Sequence, residues 1–401
     1  MPAKRFPVLI VLVLAALAAG CSERAARITG NERLIRGVAG LGTTFTSDTL
    51  VTQDTYVTPA TTQIKGATLL VGNQSVPNQG TFQARSLFRP VTWTLPTDTL
   101  AIVDSIRFRV EYDTLVNENL PPGGTFYQLY QAAAPWDTTN VQWPGPPLGT
   151  QLGQGPDAIA PLTIDLGASA IGTVRAWSRD STFAGFVLTL DAGTGIRGFR
   201  AGTGRLEIVT HVAASPGTFT TTTTRLATDL TIHSPASPAS GTETELLLGG
   251  LFQSEALLQA PVAAPPPGFS IDAATFIAHI TSPAFPTDEL VQIQAFQVGN
   301  PWPEGGASVD ITLGLATTAL ATINNYRVRA TGDSIVVPVP ISVARQWAQD
   351  STSNHGILIR ITNSFDHPEI RLASRESATP PTLRVSTTTP PPGRFARTFP
   401  R

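Results

Sequence analysis

The side chains in this sequence best suited to chemistry are aromatic and cationic rather than nucleophilic. Flat aromatic faces stack on sugar rings, and planar polar groups fix hydroxyls or uronate carboxylates. Trp93, Trp143, Tyr112, Tyr127 and Tyr130 offer such faces, and Arg107 and Arg109 could meet acidic sugars bidentately. A plainer explanation stands beside each. Alternating arginines are what a solvated sheet face shows. Trp136, Trp177, Trp302 and Trp347 recur at matched places along the chain, as packing anchors do. Trp93 and Trp143 have no such counterparts, which makes them the better ligand candidates.

Other chemistries find little support. There is no Gly-x-Ser-x-Gly elbow and no phosphate-binding loop. Asp366, His367, Glu369 and Ser374 are polar neighbours ahead of a strand, for which a loop is sufficient explanation. His211, His233, His279, His355 and His367 show no zinc spacing, so no zinc is expected. Asp54 and Asp229 open matched strands, and calcium accepts loop carboxylates. No Asp-x-Asp-x-Asp loop accompanies them, and a turn or capping role accounts for both. The expectation is a protein without catalytic residues, metal ligands or cofactor, calcium being the one ion left open.

The 401-residue chain has a formal net charge of −2. Taking away Lys4 and Arg5 of the leader leaves 25 cations against 29 acids, a charge of −4. A nucleic-acid binder would carry a concentrated basic field instead. Lys4 and Arg5 precede an apolar run, Val8 to Ala16, and then the small residues Ala18, Ala19 and Gly20 before Cys21. This is the layout of a secretory signal, with an apolar run too short to span a bilayer. Leu17-Ala18-Ala19-Gly20-Cys21 resembles the lipobox of bacterial lipoproteins, with alanine at the usual leucine position. Cys21 is the single cysteine, so it has no intramolecular disulfide to serve. The resemblance implies cleavage before Cys21, lipid on its thiol and amine, and stable membrane anchoring. Ser22 in place of aspartate favours the outer membrane or cell surface.

The elements that must position these residues repeat. Thr52-Gln53-Asp54-Thr55-Tyr56-Val57 is answered by Thr228-Asp229-Leu230-Thr231-Ile232, and Leu69-Leu70-Val71-Gly72 by Leu246-Leu247-Leu248-Gly249. Pro135-Trp136 is answered by Pro301-Trp302, and Trp177-Ser178-Arg179-Asp180-Ser181-Thr182 by Trp347-Ala348-Gln349-Asp350-Ser351-Thr352. Leu206-Glu207-Ile208-Val209 and Leu383-Arg384-Val385 close the two halves. The offset is roughly 165 to 180 residues, domain-sized and much longer than a solenoid repeat. Period-two alternation, as in Ile106-Arg107-Phe108-Arg109-Val110, marks half-buried strands. One short helix per half is expected, near 170–178 and 342–349. The fold class is all-β, with two tandem jelly-roll-like sandwiches.

The expected boundaries are a signal peptide at 1–20, an anchor and spacer at 21–43, and sandwiches at 44–212 and 225–386. A threonine-rich solvated linker is expected at 213–224 and a mobile Pro/Arg-rich tail at 387–401.

Together the landmarks resemble the DNRLRE family. They include an Asp-led opening strand, the Leu-x-Val-Gly strand, the tryptophans, and a close such as Ala373-Ser374-Arg375-Glu376 with Pro381-Thr382-Leu383-Arg384-Val385. The first half replaces the Ser-Arg-Glu step with Gly198-Phe199-Arg200-Ala201-Gly202. The resemblance implies a jelly-roll module of secreted and surface proteins, grouped in part with carbohydrate-binding modules. A surface lipoprotein that binds polysaccharide without cleaving it follows as the leading expectation. A structural or adhesin-type role with a protein partner is the alternative.

Overall fold

The computed structural model describes residues 44–389, apart from residue 60 and residues 97–100, 119–124, 158–160, 167–175, 180–182, 192, 284–289, 306–312, 328–331 and 363–367. The readings for the signal peptide, Cys21, the spacer and the tail from 390 onward lie outside the described residues. So does most of the first expected helix, of which 176–179 form one helical turn.

The chain is all-β. Strands β1 (Thr44–Leu50) and β2 (Gln53–Val57) come first. They are followed by β3 (Gln63–Ile64), β4 (Thr68–Val76), β5 (Gly80–Arg89), β6 (Ala101–Val110), β7 (Tyr112–Glu118) and β8 (Phe126–Ala132). Next are β9 (Leu148–Pro156), β10 (Leu162–Asp165), β11 (Phe186–Leu190), β12 (Gly195–Arg200), β13 (Arg205–Val212), β14 (Ser215–Arg225) and β15 (Thr228–His233). The third group is β16 (Glu245–Gly249), β17 (Glu255–Gln259), β18 (Ser270–Pro283), β19 (Leu290–Gln297) and β20 (Ala321–Arg327). It ends with β21 (Ser334–Val339), helix α1 (Ile341–Gln349), β22 (Ile357–Ile361), β23 (Glu369–Ala373) and β24 (Thr382–Thr388).

These strands build two sandwiches with one pairing pattern. In the second, β1-β24-β18-β23-β16 faces β2-β17-β22-β19-β20, and β21 adds to β18. In the first, β14 pairs with β13, β13 with β6, β10 with β6, and β12 with both β7 and β4. Opposite them, β15 pairs with β5, β5 with β11, β11 with β8, and β8 with β9. The registers agree as well, since Asp229 lies opposite Phe88 where Asp54 lies opposite Leu258. Each core is filled by the inward half of its alternating strands. Phe88, Phe108, Phe186 and Phe199 fill the first, and Phe276, Ile293, Ile359 and Leu383 the second. Trp177 and Trp347, both buried, belong to these cores from their helical segments.

The expected boundaries need correction. β1 runs antiparallel to β24, from Thr44 opposite Thr388 to Leu50 opposite Thr382, and β2 pairs with β17. Residues 44–57 therefore complete the second sandwich, while the first is the contiguous run from β3 to β15. The expected linker at 213–224 is largely strand β14, with Leu206 opposite Thr224 and Ile208 opposite Thr222. Composition reads a threonine run as solvated chain, but β-branched side chains also suit a pleated sheet edge. Thr387 and Thr388, expected in the tail, still belong to β24.

The sandwiches meet through equivalent hairpin turns. Leu251 and Phe252, between β16 and β17, pack with Ile64, Leu70, Val76 and Phe82 of the first sandwich. In return, Asn78 of the β4–β5 turn accepts a hydrogen bond from Tyr56 Oη at 3.0 Å, and Gln79 Nε2 donates to Ser254 Oγ at 2.5 Å.

Candidate functional site

The outward face of the β5-β11-β8 sheet carries a groove of about 350 Å³. Strand alternation sets its floor. In β8, Tyr127 and Leu129 point into the first core, which leaves Gln128 and Tyr130 on the other face. β5 adds Gln83 and Arg85, β4 adds Asn73, and Thr189 and Asp191 come from the end of β11. One wall is the loop between β8 and β9, which brings Trp143, together with Leu148 at the start of β9.

That loop is fastened before it reaches the groove. Trp136, Ala132, Leu87, Val187 and Ile232 make a small second core on this outer face. Arg89 donates to the carbonyl of Trp136 at 2.9 Å and lies over its ring. Gln142 accepts from the Thr62 hydroxyl at 2.7 Å, and Thr62 Oγ1 in turn accepts from Trp143 N at 2.8 Å. Gly185, with φ of 94°, sits where a Cβ would come within 2.3 Å of the Phe88 carbonyl, so glycine is required for β11 to lie against β5. Gly356 stands in the same relation to Leu258 in the second sandwich.

Within the groove the polar groups are ordered. Tyr130 Oη donates to Gln128 Oε1 at 2.5 Å, and Gln128 Nε2 donates to Asp191 Oδ1 at 2.5 Å. The Arg85 guanidinium lies 4.8 Å from the Trp143 ring centroid and donates to the Pro144 carbonyl at 3.1 Å. Burial draws the Arg85 pKa down from its ordinary value. Aromatic surface, three amides on β-strands, a carboxylate and a guanidinium thus share one open hollow. Such a set can stack on a ring and exchange hydrogen bonds with hydroxyls.

The other candidates from the sequence lie elsewhere. Tyr127 is fully buried, edge-on to Phe199. Tyr112 stacks on Phe199 and is covered by the Arg197 guanidinium, 4.8 Å from its centroid. Arg107 and Arg109 are on the opposite sheet of the sandwich. Arg107 sits between Asp165 and Glu207 in register, and Arg109 bonds Glu207 at 3.1 Å, so the charges answer one another across the strands. Trp93 lines a separate hollow of about 420 Å³ with Arg89, Arg179 and Phe183. Its ring centroid lies 5.4 Å from that of Phe183. Of the seven candidates named from the sequence, the groove gathers Trp143 and Tyr130. Gln83, Arg85, Gln128 and Asp191 were missed. Alternation along Tyr127-Gln128-Leu129-Tyr130 was the available signal, because it assigns the two tyrosines to opposite faces.

Asp54 and Asp229, the calcium candidates, play one part twice. Asp54 Oδ2 accepts from Arg375 N at 2.6 Å, and Asp229 Oδ2 from Gly202 N at 2.5 Å. Each ties β2 or β15 to the turn after β23 or β12. Glu304 and Glu376 approach Asp54, but Arg375 bridges them at 2.8 Å and 2.6 Å, so a guanidinium already supplies the positive charge there.

The equivalent face of the second sandwich is closed differently. Register places Phe296 where the first has Tyr130, Arg360 at Thr189, and Glu255 at Arg85. Arg360 lies 4.4 Å from the Phe296 centroid and pairs with Glu255 at 3.2 Å. An ion pair and a ring thus occupy the place of the groove floor.

No protein-family model matches the chain, and no curated protein is similar to it. Among solved structures it is similar to a protein of Parabacteroides distasonis assigned as secreted, at 6% identity over 86% of this chain and 99% of that one, with a TM-score of 0.22. It is also similar to the C-terminal domain of the AgI/II polypeptide BspA of Streptococcus agalactiae, at 10% identity over 84% and 91%, with a TM-score of 0.15. A structure of infectious bursal disease virus gives 9% identity over 88% and 72%, again with a TM-score of 0.15. These scores are too low to carry an argument.

Proposed function

We propose that the chain is an exported lipoprotein of DNRLRE type, anchored through Cys21, whose first sandwich binds polysaccharide without cleaving it. The observation that carries this reading is the groove, where Tyr130 and Trp143 flank ordered amide, carboxylate and guanidinium groups on one sheet face. A glycosidase of the usual kind works with two carboxylates across the bond. Among the described residues that line this groove, Asp191 is the one carboxylate. The second sandwich, its equivalent face filled by Arg360, Glu255 and Phe296, serves as support and as the route to the anchor.

The test is affinity for a panel of polysaccharides, with each binding polymer remeasured on Trp143→Ala and Tyr130→Ala. Loss of about tenfold or more in either variant is expected, from lost aromatic contact. Binding that neither change affects would remove the groove from the reading.

One feature favours a protein partner as a second reading. β14 is an 11-residue sheet edge with Phe219 59% exposed and Arg225, at its end, as its one charged residue, and a long edge with so little charge accepts an added strand.

A further inference from the structure

We infer that the groove selects neutral glycan chains presenting neighbouring hydroxyls, and discriminates against uronic-acid polymers. This rests on the glycan reading of the groove and specifies its ligand.

Among the described residues, the groove lining holds one basic and one carboxylic side chain, Arg85 and Asp191. The described lining therefore offers no excess positive charge to a polyanion, and the chain without its leader, at −4, offers no attractive field either. The one cation is also engaged. Arg85 spends Nη1 on the Pro144 carbonyl and its flat face on Trp143, so a bidentate fork toward a ligand carboxylate would require it to leave both.

The remaining groups suit hydroxyls. Asp191 is acceptor-only when ionised, and one of its oxygens is held by Gln128 Nε2. Neighbouring sugar hydroxyls can donate to such a carboxylate, whereas a uronate carboxylate near it brings like charge together without a bridging proton. Asn73 and Gln83 each supply donor and acceptor from one amide, matching groups that both give and take hydrogen bonds. Tyr130 donates its hydroxyl proton to Gln128, which leaves the Tyr130 oxygen an acceptor.

The experiment uses the detergent-solubilised full chain and two neutral polymers, a mixed-linkage β-glucan and a mannan. Two anionic ones, polygalacturonate and hyaluronate, complete the set, each titrated at low and at high salt. Binding of a neutral polymer is expected, with affinity changed less than about twofold by salt, and weakened about tenfold or more by Asp191→Asn. Gln83→Ala provides a second disruption if Asp191→Asn does not fold. A preference for the uronic polymers, or neutral binding indifferent to both variants, overturns the inference while leaving the glycan reading in place. No binding to any of the four, nor to a wider panel, by folded protein overturns both.

Discussion

Two buried titratable residues, Asp54 and His233, respond to pH in opposite directions. Asp54 is 2% exposed, and burial, reinforced by Glu376 and Glu304, pushes its carboxyl up to about 7 from 3.8. The folded chain thus keeps a proton that the unfolded chain loses at lower pH. The stabilisation is complete below about pH 4 and is lost as pH rises to about 7, at most about 4 kcal/mol in all. His233 is stacked on Phe82 with ring centroids 5.2 Å apart, and burial lowers its pKa below 6.5. Its neutral form is the folded one, so stability is lost as pH falls below about 6.5. Between pH 6.5 and 8, where Asp54 dominates, the urea midpoint of the wild type should fall, by about 1 kcal/mol in stability. Asp54→Asn should be flat over that window. An equal fall in the variant would assign the dependence to another group. At this scale the sequence shows that Asp54 and Asp229 are a matched pair, but their burial and their shared task depend on partners 321 and 27 residues away. The same holds for the groove. Trp143 was legible because nothing in the other half repeats it, whereas Asp191 and Gln83 became visible only once their strands were laid side by side.

Among the elements, β14 departs most from its expected character. Its burial is nearly all exposed, with Thr224 buried near its end, and such a strand has almost no hydrophobic pattern to announce it. What makes it a strand is the partner, β13, whose Leu206 and Ile208 face the core. Proline separates the two descriptions. On an edge strand alternate N–H groups bond the neighbour or face solvent. Of Thr222→Pro and Thr223→Pro, one should therefore cost on the order of 3 kcal/mol, and the other much less, read as denaturation midpoints. A linker would tolerate both. The alternating strands, in contrast, were open to reading from the start. β6 buries Ile106, Phe108 and Val110 and turns Arg107 outward, as its sequence pattern requires. So was the all-β class, because sandwich layers follow from many short alternating runs.

For the whole molecule, the consequence of the pairing pattern is that neither half-sequence is a half-structure. A fragment of residues 44–212 keeps β1 and β2, which belong elsewhere, and lacks β14 and β15. A fragment of 225–386 carries β15, which belongs to the first sandwich, and lacks β1 and β2. We predict that 62–236 folds alone as a cooperative monomer and that the other two fragments aggregate or stay unfolded, compared by circular dichroism and size-exclusion chromatography. A peptide of 44–58 added to 239–389 should restore its melting transition. Folded, monomeric 44–212 would contradict the exchange. Repetition in the sequence located the units, but it is silent on which copy each opening strand completes, because both copies present the same edge to it.

The same pairing has a mechanical meaning for a chain held at Cys21 and loaded at the groove. The path from tether to groove enters β1, turns through β2 and crosses to β3, while β24 and β17 hold those two strands in place. Peeling them away releases 14 residues, Thr44 to Val57, while every strand that frames the groove stays paired. The released segment has a contour length on the order of 45 Å, part of which the two strands already span. Under the anchored, glycan-binding reading proposed above, a tug on a captured polymer would therefore draw on this arm before it distorts the binding face.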